Sequence, residues 1–477
     1  MIAIIISSGV LFLLSILLVR TVMFSPSSPK AKNSTSETVD AESAVRALSE
    51  LIKCKTVSNP DRGMEDDGEF SKLRALLPTL FPKVFASCHV EFPTDRAILI
   101  KWSGKSSDSP SVFMAHYDVV SADESAWKIS PFSGTVTDGE LWGRGAIDTK
   151  VTMNAILSAA EKLIGEGFVP QNDVYMAFAG DEEINGTGAK TIAKLFSDRG
   201  IAPGIVLDEG GAVVKGAFPG VKSPTALIGI CEKGMLNVEY SVTGGGGHSS
   251  SPEIITPVGR LSRACMRVEG KPFKYRLTSP ARKLFDSVAR HSSFAYRFIF
   301  ANLWLFSPII NLLTRKSGGE LNALVRTTTA FTVAEGSKGM NVIPPYAKMI
   351  SNHRIIPGES CDSLLREIKK RVNDDRVDIK IVGGMNPSRV SVTHGECWDR
   401  LNAAISDVWS DAVISPYLML ACSDSRHWSE ISDKVYRFSP LALTKEERAT
   451  IHGNNEKIPV EKISSAVEFY IKLIKRS

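Results

Sequence analysis

Three pieces of sequence decide how this chain is read: SVFMAHYDVV (111–120), LWGRGAIDTK (141–150) and MAFAGDEEINGTG (176–188). Each runs from apolar or β-forming residues into acidic groups or a histidine. Val112 to Ala115 and Val174 to Ala179 predict buried strands. Such strands carry polar groups to the mouth of an α/β sheet, where these folds place their sites. His116, Asp118, Asp148, Asp181, Glu182 and Glu183 are too many ionisable groups for packing alone. A metal cluster accounts for them.

Outward from these pieces the chain alternates between helical and strand periodicity. Ala44, Val45, Leu48, Leu51 and Ile52 have helical spacing, as do Phe70, Leu73, Leu76, Leu77 and Leu80. Ala97 to Trp102 predicts a strand, Thr152 to Leu163 a helix, and Gly204 to Leu207 a short strand ending in the turn Asp208-Glu209-Gly210-Gly211. After Glu232 the character changes. Alternation from Leu236 to Val242 marks a half-exposed strand, and with 269–326 set aside the order to Val382 is β-α-β-β-α-β, the split βαβ arrangement. The expected organisation is therefore α/β: a mixed sheet flanked by helices (41–234 and 388–477), with an α+β ferredoxin-like lid or dimerisation domain (235–387) inserted. Within 269–326, ANLWLFSPIINLL (301–313) is strongly apolar. It suits a core helix, a partner surface or a membrane-facing element, and subunit or lid packing is the expected use.

Residues 2–19 are apolar and uncharged, and Arg20 follows. That length suits a membrane span, and a basic leader and cleavage site are not evident, so 1–24 is read as an anchor ahead of a cleaved signal. Residues 25–40 read as a flexible stalk. Arg20, Lys30 and Lys32 favour a cytoplasmic C-terminal side. Secretory entry instead leaves the large domain lumenal, vacuolar or extracellular, where the sequon Asn33-Ser34-Thr35 is usable. A net charge of +5 spread over 477 residues does not imply nucleic acid. Seven cysteines without a CxxC pair exclude a disulfide scaffold and a thiolate zinc site, while one or two disulfides stay possible.

His116 is the first candidate metal ligand. Asp118, two residues on, lies on the same side of an extended segment and can orient that imidazole. Asp148, in a glycine-flanked turn, is a candidate bridging carboxylate. Glu182 and Glu183 point opposite ways on a strand, so one can bind metal while the other acts as general base. Asp208 offers a further carboxylate and His452 a second imidazole. Each alone has an ordinary structural use: a solvated face for the glutamates, a turn for Asp208-Glu209. Together they make a two-metal site for hydrolysis. GGGGHSS (244–250) lacks the ending of a phosphate-binding loop, and Ser249 and Ser250 lack a nucleophile elbow.

MAHYDVV, GRGAIDTK, GDEEINGTGA, LDEGG, GGHSS and IHGNNEKI resemble, in the same order, the motifs of the di-zinc exopeptidase family of aminoacylase, carboxypeptidase S and the Gly-X carboxypeptidases. WKISPFSG (127–134), VRTTTA (325–330), NVIPP (341–345) and NHRIIPG (352–358) are similar to its carboxypeptidase S branch and the related N-fatty-acyl-amino-acid synthase/hydrolase. The resemblance spans about residues 41–477. It implies a carboxypeptidase acting on small peptides, or a hydrolase of N-acyl amino acids, with two Zn2+ per subunit. His116 and Asp208 would hold one zinc and Glu183 and His452 the other, with Asp148 bridging. Glu209 is the alternative to Asp208. Glu182 would be the base, with Asp118 supporting His116. His248 would steady the oxyanion, often from the partner subunit of a dimer, with Asn322 assisting. Arg354 would grip the substrate carboxylate.

Overall fold

The computed structural model describes residues 2–26, 36–216 and 218–477, so the sequon at Asn33 and part of the stalk lie outside the described residues. The strands that matter to the site, in chain order, are β1 (His89–Thr94), β2 (Ala97–Trp102), β3 (Ser106–His116), β4 (Asn172–Ala179), β5 (Ile205–Val214), β6 (Thr225–Glu232), β7 (Gly234–Thr243), β8 (Thr328–Glu335), β9 (Tyr346–Ile355), β10 (Asp378–Met385), β11 (Val413–Met419) and β12 (Val435–Leu443). Eight form one mixed sheet in the order β1-β2-β4-β3-β5-β12-β6-β11. Its centre, β4-β3-β5-β12, is parallel, and β2 joins it antiparallel.

Helices cover both faces, so the central strands are apolar throughout. On one face lie Ala41–Ile52, Lys150–Gly165 and Val460–Ile474. The last buries Ile463, Ala466, Val467, Tyr470, Ile471 and Ile474, an apolar stripe at helical spacing. Gly188–Asp198 packs Ile192 and Phe196 against Tyr175 and Trp428 on the other face. Helices on opposite faces therefore follow β3 and β4, and the chain turns in opposite directions from the middle of the sheet. That switch opens a crevice at the carboxyl ends of β3, β4 and β5.

The expected turn at Asp208-Glu209-Gly210-Gly211 is instead a bulge inside β5. Arg437 pairs with Asp208 while the next residue, Phe438, pairs with Gly211. Gly210 takes φ of +142°, which side-chain-bearing residues rarely adopt. The bulge interrupts the ladder and re-aims the acids beside it.

The second sheet has the order β8-β9-β7-β10, all antiparallel. Helices Pro257–Glu269 and Cys361–Val372 pack Leu261, Val268, Leu364 and Ile368 on Leu236, Val238 and Tyr240. This is the split βαβ order expected for this stretch. Between Glu269 and β8 the chain forms Ser279–Ala289, Phe294–Ala301, Leu303–Ser317 and Gly319–Val325. All seven cysteines are free.

Lys233 sits where the two sheets meet. Its ammonium is buried and donates to the carbonyls of Ala323 (2.9 Å) and Arg326 (3.0 Å). Burial, aided by the Arg354 charge, pushes it down from 10.5 to about 7. Between those values the unfolded chain binds the extra proton. The penalty is absent at high pH, grows as pH falls, and is complete below about 7. The urea midpoint of the natural protein should therefore rise relative to that of Lys233→Met when pH is raised from 7 to 9; a difference independent of pH would contradict this.

Candidate metal centre

Two imidazoles face one carboxylate. His116, ending β3, places Nε2 3.0 Å from Asp148 Oδ1, and His452 places Nε2 3.1 Å from Asp148 Oδ2. Glu183 lies 3.1 Å from His452 Nε2, and Glu209 Oε1 lies 3.5 Å from His116 Nε2. Ligand atoms of His116, Asp148 and Glu183 lie within 4.8 Å of one another, as do those of His116, Glu182 and Glu209. Imidazole and carboxylate at that spacing fit a pair of divalent metals.

Asp118 organises this cluster from behind. It is buried and accepts from the Ser58 hydroxyl (2.7 Å) and from the backbone N–H groups of Glu182 and Glu183 (both 3.1 Å). Its Oδ1 also lies 3.3 Å from His116 Nδ1. Asp118 thus orients the histidine, through its backbone carbonyl 3.0 Å from Nδ1 as well as its carboxylate, and that carboxylate shapes the loop carrying both glutamates. Asp181 has a structural use, accepting from the N–H groups of Thr187 and Gly188 at the start of their helix.

Of the acids in the β5 bulge, Glu209 faces His116. Asp208, the expected ligand, turns the other way: it accepts from its neighbour Glu209 N (2.9 Å) and from Ser425 N (2.8 Å). Successive strand side chains alternate faces, so only one of the pair can reach the histidine.

The electrostatics follow from burial and crowding. Burial, with the charges of Asp424, Glu209 and Asp118, carries Glu182 well above the usual carboxylate range despite His116. Burial and the neighbouring Asp148 raise Glu209 to about 8. Hydrogen bonds to Asp148 and Glu183 raise His452 to about 10. Burial opposes charge on His116, yet Glu209, Asp118 and Asp148 lift it well above the usual imidazole value.

One pair in this region was not legible as functional. Glu456 reads as a surface charge in HGNNEKI, but it is fully buried. It accepts from Arg144 Nη1 (2.7 Å) and from the N–H groups of Gly145, Ile147 and Asp148. Arg144 also donates to the Gly453 carbonyl (2.7 Å). The loop bearing Asp148 is thereby stitched to the loop bearing His452, whose φ of +58° is itself unusual for a non-glycine residue. The signal available was the joint presence of Arg144 and Glu456 in two motif blocks.

A cleft of about 340 Å³ opens over the cluster, lined by Asp148, Glu182, Glu183, Glu209, Cys422 and His452 among others. Arg354 is not itself in that lining, but its Nη1 lies 3.6 Å from Sγ of the lining residue Cys422. Asn322 is taken up by Arg326. His248 is exposed on a two-residue strand paired with Val342–Ile343, bonded to Ser250 (2.8 Å). Among the described residues lining the cleft, neither His248 nor Asn322 appears.

Fold and site together define a metal-dependent hydrolase. The chain belongs to peptidase family M20/M25/M40, whose model matches residues 112–476. It is 35% identical to probable carboxypeptidase S-like 2 of Dictyostelium discoideum, over 100% of this chain and 94% of that one. It is 33% identical to the N-fatty-acyl-amino acid synthase/hydrolase PM20D1 of Xenopus tropicalis, over 98% and 93%. Its fold matches the M20 metallo-carboxypeptidase Sso-CP2 of Sulfolobus solfataricus with TM-score 0.68 at 17% identity, covering 91% and 98%. The dinuclear metal-binding peptidase YXEP of Bacillus subtilis matches with TM-score 0.57 at 12% identity, covering 91% and 98%. The chain is therefore a hydrolytic enzyme with a site able to hold metal.

Two outcomes follow. Metal must bind neutral imidazole, and His452, raised to about 10, carries a proton at pH 7 in the metal-free site, so zinc loading should release protons; calorimetry in buffers of different ionisation enthalpy finding no release would contradict the geometry. Glu456→Ala strands a buried Arg144 and should cost about 3–5 kcal/mol in urea unfolding, whereas a surface charge would cost under ~1 kcal/mol.

Proposed function

We propose that this chain is a di-zinc carboxypeptidase that hydrolyses the amide bond next to a free C-terminal carboxylate in small peptides. The observation that carries the reading is Asp148 held between His116 and His452, one imidazole at each carboxylate oxygen. In this reading His116 and Glu209 would hold one ion and Glu183 and His452 the other, with Asp148 offering a carboxylate oxygen to each side. The facing of Glu209 toward His116 favours it over Asp208. Bound zinc supplies Lewis acidity to the scissile carbonyl and to water.

Glu182 takes the proton of the attacking water at its carboxylate and returns it to the leaving nitrogen. Its burial, which favours the protonated form, suits that exchange. Asp118 keeps Glu182 and Glu183 in place through their backbone N–H groups. The guanidinium of Arg354, beside the lining residue Cys422, offers a planar fork to the substrate carboxylate. His248 belongs to the inserted lid (235–387) and serves the cleft of a partner subunit in a homodimer, steadying the oxyanion, with Asn322 assisting. Its exposure and its absence from its own chain's cleft lining support that arrangement. Residues 2–23 form one apolar helix, which we read as a single-pass anchor for a lumenal, vacuolar or extracellular enzyme.

A second substrate class has its own observation. A cavity of about 700 Å³ adjoins the cleft, shares Val214, Leu227, Tyr417 and Arg448 with it, and is walled by Phe218, Leu284, Leu321 and Leu324. That space suits the chain of an N-acyl amino acid, the substrate type named for PM20D1 relatives.

Glu182→Ala should stay folded and metal-loaded and lose roughly 10²–10⁴-fold in turnover; near-natural hydrolysis would sink the mechanism. Gly-Leu and N-oleoyl-leucine assayed side by side, with and without chelator, separate the substrate classes. Leu321→Trp should depress only the long-chain reaction, and equal loss on both substrates would remove the cavity from the account.

A further inference from the structure

The N-terminal helix does not stand apart from the enzyme. Residues 4–16 are exposed, but Leu17 and Thr21 are buried against the insertion at 269–326. The contact is polar and specific. Asn302, fully buried at the break between Phe294–Ala301 and Leu303–Ser317, donates its amide N–H groups to Leu17 O (3.2 Å), Thr21 Oγ1 (3.3 Å) and Phe298 O (2.8 Å). Arg20 donates back to Ala301 O (3.0 Å) and Asn302 Oδ1 (3.2 Å). Arg290 lies over the Phe24 ring at 4.4 Å. Removing the N-terminal helix would take from Asn302 two of the three acceptors that its amide N–H groups bond.

The helix pair on the far side of this joint is bent by 106° and carries apolar side chains that the protein does not cover. Trp304 is 58% exposed, Ile309 52%, Leu312 65% and Leu313 60%, with Phe294 close behind. Arg315 and Lys316 end the second helix. A large exposed apolar surface marks a site of association. Here the surface continues directly from a 20-residue apolar helix of membrane-spanning length. An aromatic residue, aliphatic neighbours and terminal basic groups are the composition of an element lying in the headgroup–acyl boundary. Phe300 and Leu303, on the protein side of the same bend, pack on the apolar cluster of Phe218 and Leu324 that walls the cavity beside the metal cleft.

We infer that the bent pair Phe294–Ser317 is an interfacial membrane element, docked on the retained N-terminal helix through Asn302 and Arg20, and that it seats the enzyme in the lipid bilayer. It rests on the reading of residues 2–23 as an anchor, and it adds a second point of attachment that fixes the orientation of the body. An apolar substrate dissolved in the leaflet would then lie next to the cavity wall.

Trp304 is the one exposed tryptophan among seven, and the N-terminal helix has none, so its fluorescence reports this element alone. The full chain is reconstituted into phosphatidylcholine–phosphatidylserine vesicles with ordinary or dibrominated acyl chains. The brominated lipid should quench part of the emission of the natural protein, and this loss should vanish in Trp304→Phe. Equal quenching in both proteins, or none in either, with the protein floating with the vesicles, overturns the interfacial element and leaves the anchor standing. Protein that does not float with the vesicles overturns both.

Discussion

The structure depends on crowding carboxylates around one cleft. Asp118, Asp148, Glu182, Glu183 and Glu209 converge there with only two imidazoles among them, and buried like charges disfavour ionisation strongly. The protein relieves part of the cost itself. Asp118 is satisfied by a hydroxyl and two backbone N–H groups, and Asp148 by both histidines. The remainder appears as upward shifts on Glu182, Glu209 and His452, and metal bound at Glu209 and His452 would displace the protons those two ligands favour.

Holding that cluster together is work for the loops rather than the strands. The parallel strands bring His116, the Glu182-Glu183 loop and the β5 bulge to one crevice, because the chain reverses direction in the middle of the sheet. Asp148 and His452 come from loops far apart in sequence. The buried Arg144–Glu456 pair joins them, with backbone N–H groups completing the carboxylate's bonds. A charge pair of this kind need not add net stability over apolar packing, but breaking it is expensive, so it locks one loop arrangement.

Much of this was legible because it follows local rules. Central strands such as Val174 to Ala179 are apolar on both faces, and the helix at 460–474 has a clean stripe, so period alone identifies them. His116 and Glu183 stood out as ionisable groups at strand ends, where a sheet puts its site, Asp148 by its glycine-flanked turn and His452 as a lone imidazole in a polar segment. What escaped depends on side-chain direction and on distant partners. Asp208 and Glu209 are adjacent and both acidic, and only a register shift against Arg437 and Phe438 decides which faces His116. Glu456 looks like any surface acid until Arg144 arrives from more than three hundred residues away. The apolar run at 301–313 suited a core helix, a partner surface or a membrane-facing element, with subunit or lid packing the expected use, since periodicity cannot say what covers a helix.

The most direct test of the account is metal stoichiometry by mass spectrometry on purified protein. The natural chain should carry two zinc ions, Glu209→Gln should carry about one, and Asp208→Asn should keep two. Loss of an ion from Asp208→Asn with none lost from Glu209→Gln, or a natural protein holding fewer than two after zinc loading, would contradict it.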